Sequence, residues 1–159
     1  MKKPFYLILP NIRSCHNVGS FFRTADAFGV SKIFLVGFTA CPPKKEIDKV
    51  SLGAETWVPW EYLPSLDECL ARIREEQCLL VGLEQSPASV DLAAWSIPEA
   101  DTEKGIALVV GNEVTGIAPE VLAVCDVVVH IPMLGKKESL NVSVAGGIAL
   151  WELSQKIQK

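Results

Sequence analysis

Five short apolar runs punctuate the chain, at residues 5–9, 33–36, 79–83, 106–110 and 127–131. Each has the length of a strand. The last two are almost unbroken Val, Ile and Leu, as expected for strands covered on both faces of a parallel sheet. Between the runs the spacing of apolar positions becomes helical. Residues 17–28 put Phe21, Ala25 and Phe28 on one face, with Asn17 as the N-cap and Gly29 as the stop. A second helix starts at Ser65 or Asp67 and sets Leu66, Leu70 and Ile73 against a wet face of Arg72, Arg74, Glu75 and Glu76. Pro119 opens a short third helix. Residues 140–157 form a longer fourth, with Leu140, Val144, Ile148 and Trp151 in register and Ser139 or Asn141 at its start. Strands alternating with helices predict a right-handed α/β fold, a mostly parallel sheet flanked by helices, with ligands at the carboxyl ends of the strands. The proline-bearing stretch 41–63 reads as a long connection with one edge strand near Trp57.

The 159 residues have the size of one domain, able to bury ~70% of the surface of the unfolded chain. No repeat or linker divides them. Met1, Lys2 and Lys3 resemble the opening of a signal peptide, but the apolar run that follows is too short, and no stretch approaches the ~20 residues of a membrane span. A cytoplasmic protein is expected. The five cysteines (Cys15, Cys41, Cys69, Cys78, Cys125) form no CxxC pair and read as reduced, mostly buried thiols. Two distant histidines, His16 and His130, offer little for a metal site, so none is expected. The net charge of −4 speaks against a nucleic-acid partner. It averages over an asymmetry, however: residues 1–50 carry eight Lys/Arg against three Asp/Glu, while residues 51–104 carry three against eleven. The basic set Lys2, Lys3, Arg13, Arg23, Lys32, Lys44, Lys45 and Lys49 leaves contact with phosphate open.

Three polar, glycine-bearing corners follow strands. The first runs from Asn11 through Asn17 to Arg23 and Ala25. The second, Gly111-Asn-Glu113-Val-Thr-Gly116, lacks the Lys-Ser/Thr of a phosphate-binding loop and is not GxGxxG, which removes the main support for nucleotide phosphates or a dinucleotide. The third runs from Ile131 through Gly135, Lys136, Ser139 and Asn141 to Ala145, Gly146 and Gly147. Its small residues allow backbone to approach a neighbouring helix or a ligand.

In order, these corners read NxRSxxNxGSxFRTA from Asn11, GNExxG from Gly111 and IPMxGxxxSLNVSxA from Ile131. The chain resembles, over essentially its whole length, the SpoU (TrmH-like) group of the SPOUT class of S-adenosylmethionine-dependent RNA 2′-O-ribose methyltransferases. The resemblance implies a SPOUT-type fold with a C-terminal trefoil knot, one methyltransferase domain over 1–159 with no added RNA-binding domain, and a homodimer whose RNA meets both subunits. It also implies that Arg23 acts at the ribose 2′-hydroxyl with Asn17 in support, and that Glu113, Ser139 and Asn141 complete the catalytic set. Leu83, Gly111, Ile131, Ser139 and Leu140 would neighbour the cofactor. Methyl transfer from a sulfonium needs positioning and loss of a hydroxyl proton, and no metal. A guanidinium is a permanent cation and a poor base, so Arg23 is expected to stabilise the developing alkoxide and grip a substrate phosphate. The expected RNA is tRNA, with rRNA as the alternative, held by the N-terminal basic set and Lys136 or Lys137. The acidic overall charge makes a partner protein or a small stem-loop substrate the expected source of affinity. The small face Ser143, Ala145, Gly146 and Gly147 is read as either a dimer surface or core. A non-catalytic RNA-binding or assembly factor is the competing reading; against it, all five catalytic positions are occupied as in the family.

Overall fold

The computed structural model describes residues 2–159; Met1 lies outside the described residues. The strands are β1 (Phe5–Pro10), β2 (Lys32–Val36), β3 (Trp60–Leu63), β4 (Leu79–Leu83), β5 (Val90–Asp91), β6 (Ile106–Val109) and β7 (Val127–His130). The helices are α1 (Cys15–Phe28), α2 (Lys45–Ser51), α3 (Leu66–Glu75), α4 (Pro119–Val124) and α5 (Val142–Ile157). One sheet runs in the order β3-β2-β1-β6-β4-β7-β5, every neighbouring pair parallel. All the strand carboxyl ends therefore lie along one edge, and the three polar corners come together there.

Alternation along the strands divides the core. Leu7, Leu9, Ile33, Leu35, Ile106 and Leu108 point to one face, where they meet Phe21, Phe22, Ile47, Leu150 and Leu153 of α1, α2 and α5. Ile8, Phe34, Val36, Ala107 and Val109 point to the other and meet Leu70, Ile73 and Val121 of α3 and α4. The result is three layers, helix on sheet on helix. No helix among the described residues is long and apolar enough to cross a membrane.

Several expectations are corrected. The N-cap of α1 is Ser14, whose hydroxyl accepts the Asn17 N–H at 3.2 Å. Asn17 instead lies inside the first turn, 4% exposed, because its side chain has distant partners described below. Gly29 does end α1, in the left-handed region at φ 73°. The stretch 41–63 is not a bare connection: it folds α2 and a 3-10 turn at Ala54–Thr56. The edge strand begins at Trp60, since Trp57 is drawn to the α1 side by an indole N–H donated to Asp26 Oδ1 at 2.8 Å. Of the cysteines only Cys69 and Cys78 are buried, the other three being half-buried, and all five are free. Burial pushes the Cys69 thiol up to about 12 and those of Cys78 and Cys125 up to about 11, which keeps them protonated and unreactive at neutral pH.

The largest correction concerns α5. Leu140, Val144, Ile148 and Trp151, the apolar positions in register along the predicted helix, are between 38% and 51% exposed. The buried side is Gly146, Ala149, Leu150, Leu153, Ser154 and Ile157. Gly146 and Gly147 face α1 within the chain: a Cβ at Gly146 would stand 2.3 Å from Phe21 Cε1, and one at Gly147 3.3 Å from Thr24. Gly146→Ala is accordingly expected to cost ~1–3 kcal/mol by overpacking against the fully buried Phe21. Chemical denaturation checks this; an unchanged midpoint would show that the α1–α5 contact gives way freely.

The basic set is also divided by the fold. Lys2, Lys3 and Lys32 lie at the amino ends of the strands, where Lys3 donates to the Ile157 carbonyl at 3.4 Å and Lys32 pairs with Glu61 at 3.3 Å. Arg13, Lys44, Lys45, Lys136 and Lys137 lie in the segments that follow strand carboxyl ends and are exposed.

Candidate functional site

Where β4, β6 and β7 end, a cleft of about 540 Å³ opens, within the usual range for small-molecule sites. Its apolar walls include Leu83, Val110, Ile131, Met133, Leu140 and Val142, and its polar rim includes Glu84, Glu113, Ser139 and Asn141. The loop between β6 and α4 forms one side. Asn112 and Gly116 exchange backbone hydrogen bonds at 3.2 and 3.0 Å, and Asn112 Oδ1 accepts the N–H groups of Val114 and Thr115 at 2.8 and 3.2 Å. This tight loop requires both its glycines. A Cβ at Gly111 would stand 2.7 Å from Gly116 Cα, and Gly116 takes φ +67° with Glu84 against it. Glu84 then accepts the Ile117 N–H at 2.8 Å and ties the loop to the end of β4.

Three segments far apart in sequence are joined by a single chain of side-chain hydrogen bonds. Asn141 Nδ2 donates to Asn17 Oδ1 at 3.3 Å, and Asn17 Nδ2 donates to Glu113 Oε1 at 3.1 Å. Each member has a second task. Asn141 caps α5, its Oδ1 accepting from Ser143 N at 2.9 Å and Val144 N at 3.4 Å. The Glu113 carboxylate accepts the Arg13 N–H on both oxygens, at 3.0 and 2.9 Å, and the Ser14 N–H at 3.1 Å, at the amino end of α1. Partial burial pushes the Glu113 carboxyl up, but hydrogen bonds from the Arg13 N–H, its own N–H, the Ser14 N–H and the Asn17 amide outweigh it. Its pKa therefore lies below the usual carboxylate range. Glu113 is thus an ionised acceptor at neutral pH, suited to organising the loops and poorly suited to removing a proton.

Leu83, Gly111, Glu113, Ile131, Ser139, Leu140 and Asn141, all named from the sequence, line the cleft. Asn17 does not; it stands behind the rim and reaches it through Glu113 and Asn141. Arg23 does not either. It lies on α1 six positions beyond Asn17, ~9 Å of helix rise, and is exposed. Among the described residues it has no ion-pair partner. Sequence reasoning missed Glu84, Gln85 and His130. Gln85 Nε2 donates to the Ile131 carbonyl at 3.1 Å, and His130 Nδ1 lies 2.9 Å from the Ser89 hydroxyl. The only available signal was their place at strand ends.

Residues 4–151 match the family model described as the SpoU rRNA Methylase family. The chain is 35% identical over 146 residues to the 23S rRNA (guanosine-2′-O-)-methyltransferase RlmB of Bordetella pertussis, covering 92% of this chain and 57% of that protein. It is 34% identical over 152 residues to the tRNA (guanosine(18)-2′-O)-methyltransferase of Aquifex aeolicus, covering 95% of this chain and 69% of the relative. Among solved structures, the SpoU methyltransferase AviRb from Streptomyces viridochromogenes, in complex with AdoMet, superposes with a TM-score of 0.86 at 25% identity. That match covers 100% of this chain and 63% of AviRb. The chain spans about three fifths of the length of the first curated relatives it matches. The order of the three motifs, the parallel sheet that gathers them and these likenesses lead to one assignment: the chain belongs to the SpoU methylase family.

Proposed function

We propose that this chain binds S-adenosylmethionine in the cleft and transfers its methyl group to a ribose 2′-hydroxyl of RNA. The observation that carries the reading is the hydrogen-bonded union of Asn17, Glu113 and Asn141, one from each motif, at the rim of a cleft large enough for a nucleoside-sized ligand. The cleft suits this cofactor chemically. Leu83, Ile131 and Leu140 offer apolar surface to a purine and a thioether chain, while the glycine loop 111–116 presents bare backbone for hydrogen bonds. When bound, the cofactor supplies an electrophilic methyl. The chain's own residues then position and charge-balance: Glu113 and Asn17 fix the loops, Asn141 and Ser139 line the approach, and Arg23 neutralises charge developing on the ribose oxygen.

Arg23 lies outside the cleft of its own chain, and the exposed Val144, Ile148 and Trp151 of α5 follow Leu140, which lines that cleft and is itself part exposed. Both facts support a homodimer in which these side chains are covered and Arg23 of one subunit reaches the cleft of the other. The same reading includes a C-terminal knot. In support, the 84–105 connection passes β7 in the sheet, and Lys156 near the end of α5 donates to the Ala93 carbonyl in that connection at 3.3 Å. It also places the protein in the cytoplasm, with its RNA.

The test is transfer of labelled methyl from S-adenosylmethionine to unmodified tRNA and, separately, 23S rRNA transcripts, followed by nuclease digestion. Label in a 2′-O-methylated nucleotide is expected, and the RNA that carries it names the substrate. Cofactor binding without label on either RNA would overturn the reading of the chain as an enzyme by itself and favour a partner-dependent or non-catalytic role.

A further inference from the structure

Beside the cleft a second feature stands out, at the carboxyl end of β2. Phe38 is 63% exposed, yet the turn that carries it is held from both sides. Its own N–H donates to Asn11 Oδ1 at 3.1 Å, and the Gly37 N–H donates to the Leu63 carbonyl at 3.1 Å. Thr39, 3% exposed, donates its hydroxyl to the Leu9 carbonyl at 2.7 Å and accepts the Ile12 N–H at 2.9 Å. Two residues adopt positive φ to shape this turn, Asn11 at 52° and Gly37 at 67°. A Cβ at Gly37 would lie 2.0 Å from Asn11 Oδ1, so no other residue permits the Asn11 clamp. A turn determined at this many points presents one phenyl ring to water, although a large exposed apolar side chain gives nothing to folding.

The surroundings indicate what the ring meets. The Asn11 carbonyl accepts the Asn112 side-chain amide, so the turn is two hydrogen bonds from the rim of the cleft. Arg13 follows Asn11 by two positions, and Lys44 and Lys45 open α2 in the segment leading from the turn; all three are exposed. An exposed aromatic ring on a pinned turn, with exposed cations in the neighbouring segments and the rim of the cleft two hydrogen bonds away, has the composition of a base-stacking platform with a phosphate-tracking rim.

We propose that Phe38 stacks a base of the substrate RNA next to the nucleotide whose ribose is presented to the cleft, with Arg13, Lys44 and Lys45 holding the flanking phosphates. The proposal rests on the RNA-methylating reading and adds to it a residue that positions the strand. Stacking accepts any base, so Phe38 contributes affinity and register without selecting sequence.

The test compares wild type with Phe38→Ala, Phe38→Trp and the double variant Lys44→Gln/Lys45→Gln. The readouts are direct binding of unmodified tRNA and 23S rRNA transcripts across a salt series, KM and kcat for methyl transfer, cofactor affinity by calorimetry, and sedimentation. Phe38→Ala is expected to weaken RNA binding about tenfold with an unchanged salt slope and unchanged cofactor affinity, and to raise KM for RNA more than it lowers kcat. Phe38→Trp should restore binding. The lysine variant should instead lower the salt slope by ~1–2. RNA binding unaffected by Phe38→Ala would overturn the proposal while leaving the methyltransferase reading intact. A shift of Phe38→Ala from dimer to monomer would also overturn it, by showing the ring to be a contact between copies. Because binding is measured directly, wild type that binds RNA without methylating it would fail the catalytic reading while still deciding the role of Phe38. Wild type that neither binds nor methylates RNA would overturn both.

Discussion

Arg23→Ala is expected to lower methyl transfer by ~10²–10³, the usual loss when one preorganised group facing developing charge is removed. Stability should stay within ~0.5 kcal/mol of wild type, because the side chain is exposed and has no ion-pair partner among the described residues. Cofactor affinity should also hold, since Arg23 does not line the cleft. Lysine is not an equivalent replacement: a point charge cannot grip phosphate on two oxygens, so Arg23→Lys should recover only part of the loss. The proposed homodimer adds a sharper test. Ile131→Asp puts a charge into the cleft wall and should be inactive alone. Mixing Arg23→Ala with Ile131→Asp subunits should then regain about a quarter of wild-type activity if Arg23 serves the partner's cleft, since random two-fold pairing leaves one competent site in half the dimers. Recovery indistinguishable from zero would place Arg23 with its own cleft or outside the reaction.

Glu113→Gln should have the other large effect, through a different route. The carboxylate accepts from Arg13, Ser14 and Asn17, all donors. A neutral amide turns two hydrogens toward them and can satisfy at most part of the set. We expect a stability loss of about 1–2 kcal/mol, kept low because the rim is open to water. Cofactor affinity should fall about tenfold or more as the first and second motifs separate. The pH dependence follows from the lowered pKa. A carboxyl depressed in the folded state adds stability that is fully present above its unfolded value of ~4.3 and is lost as pH falls through the folded value. The stability gap between wild type and Glu113→Gln should therefore be level from pH 6 to 8 and close below about pH 4. Denaturation at a series of pH values checks this; a gap that widened on acidification would remove Glu113 from its role as an ionised acceptor.

Strands were legible where the sequence carried unbroken aliphatic runs: β4 lies at the bounds its pattern predicts, and β1, β2, β6 and β7 within one residue of theirs. What escaped was short or ambiguous. Helix α2 buries only Ile47 and Ser51 in seven residues, too few for a period to show, and β5 is two residues long. In α5 nearly every position is small or apolar, so two opposite faces read equally well as inward; Phe21 selects the glycine face because only glycine admits its ring. The site divides in the same way. Its members could be named from motifs, but the roles of Asn17 and Glu113 depend on partners about a hundred positions away, and local spacing marked Asn17 as a cap when Ser14 takes that place. Phe38 carried no signal at all, since exposure is a property of the folded surface.

The bond between Asn141 and Asn17 joins positions 124 apart, and that between Glu113 and Arg13 spans 100. During vectorial synthesis the amino-terminal corner emerges early and waits, its amide and backbone donors bound to water, until the 124 residues from Asn17 to Asn141 have followed. Loop closure of this length delays such contacts relative to local ones, so the cleft is among the last features to exist. A ligand seated there binds only the finished molecule and draws the folding equilibrium toward it by mass action. Occupancy of the cleft thereby reports on the integrity of the whole chain, and any truncation before Asn141 forfeits it completely.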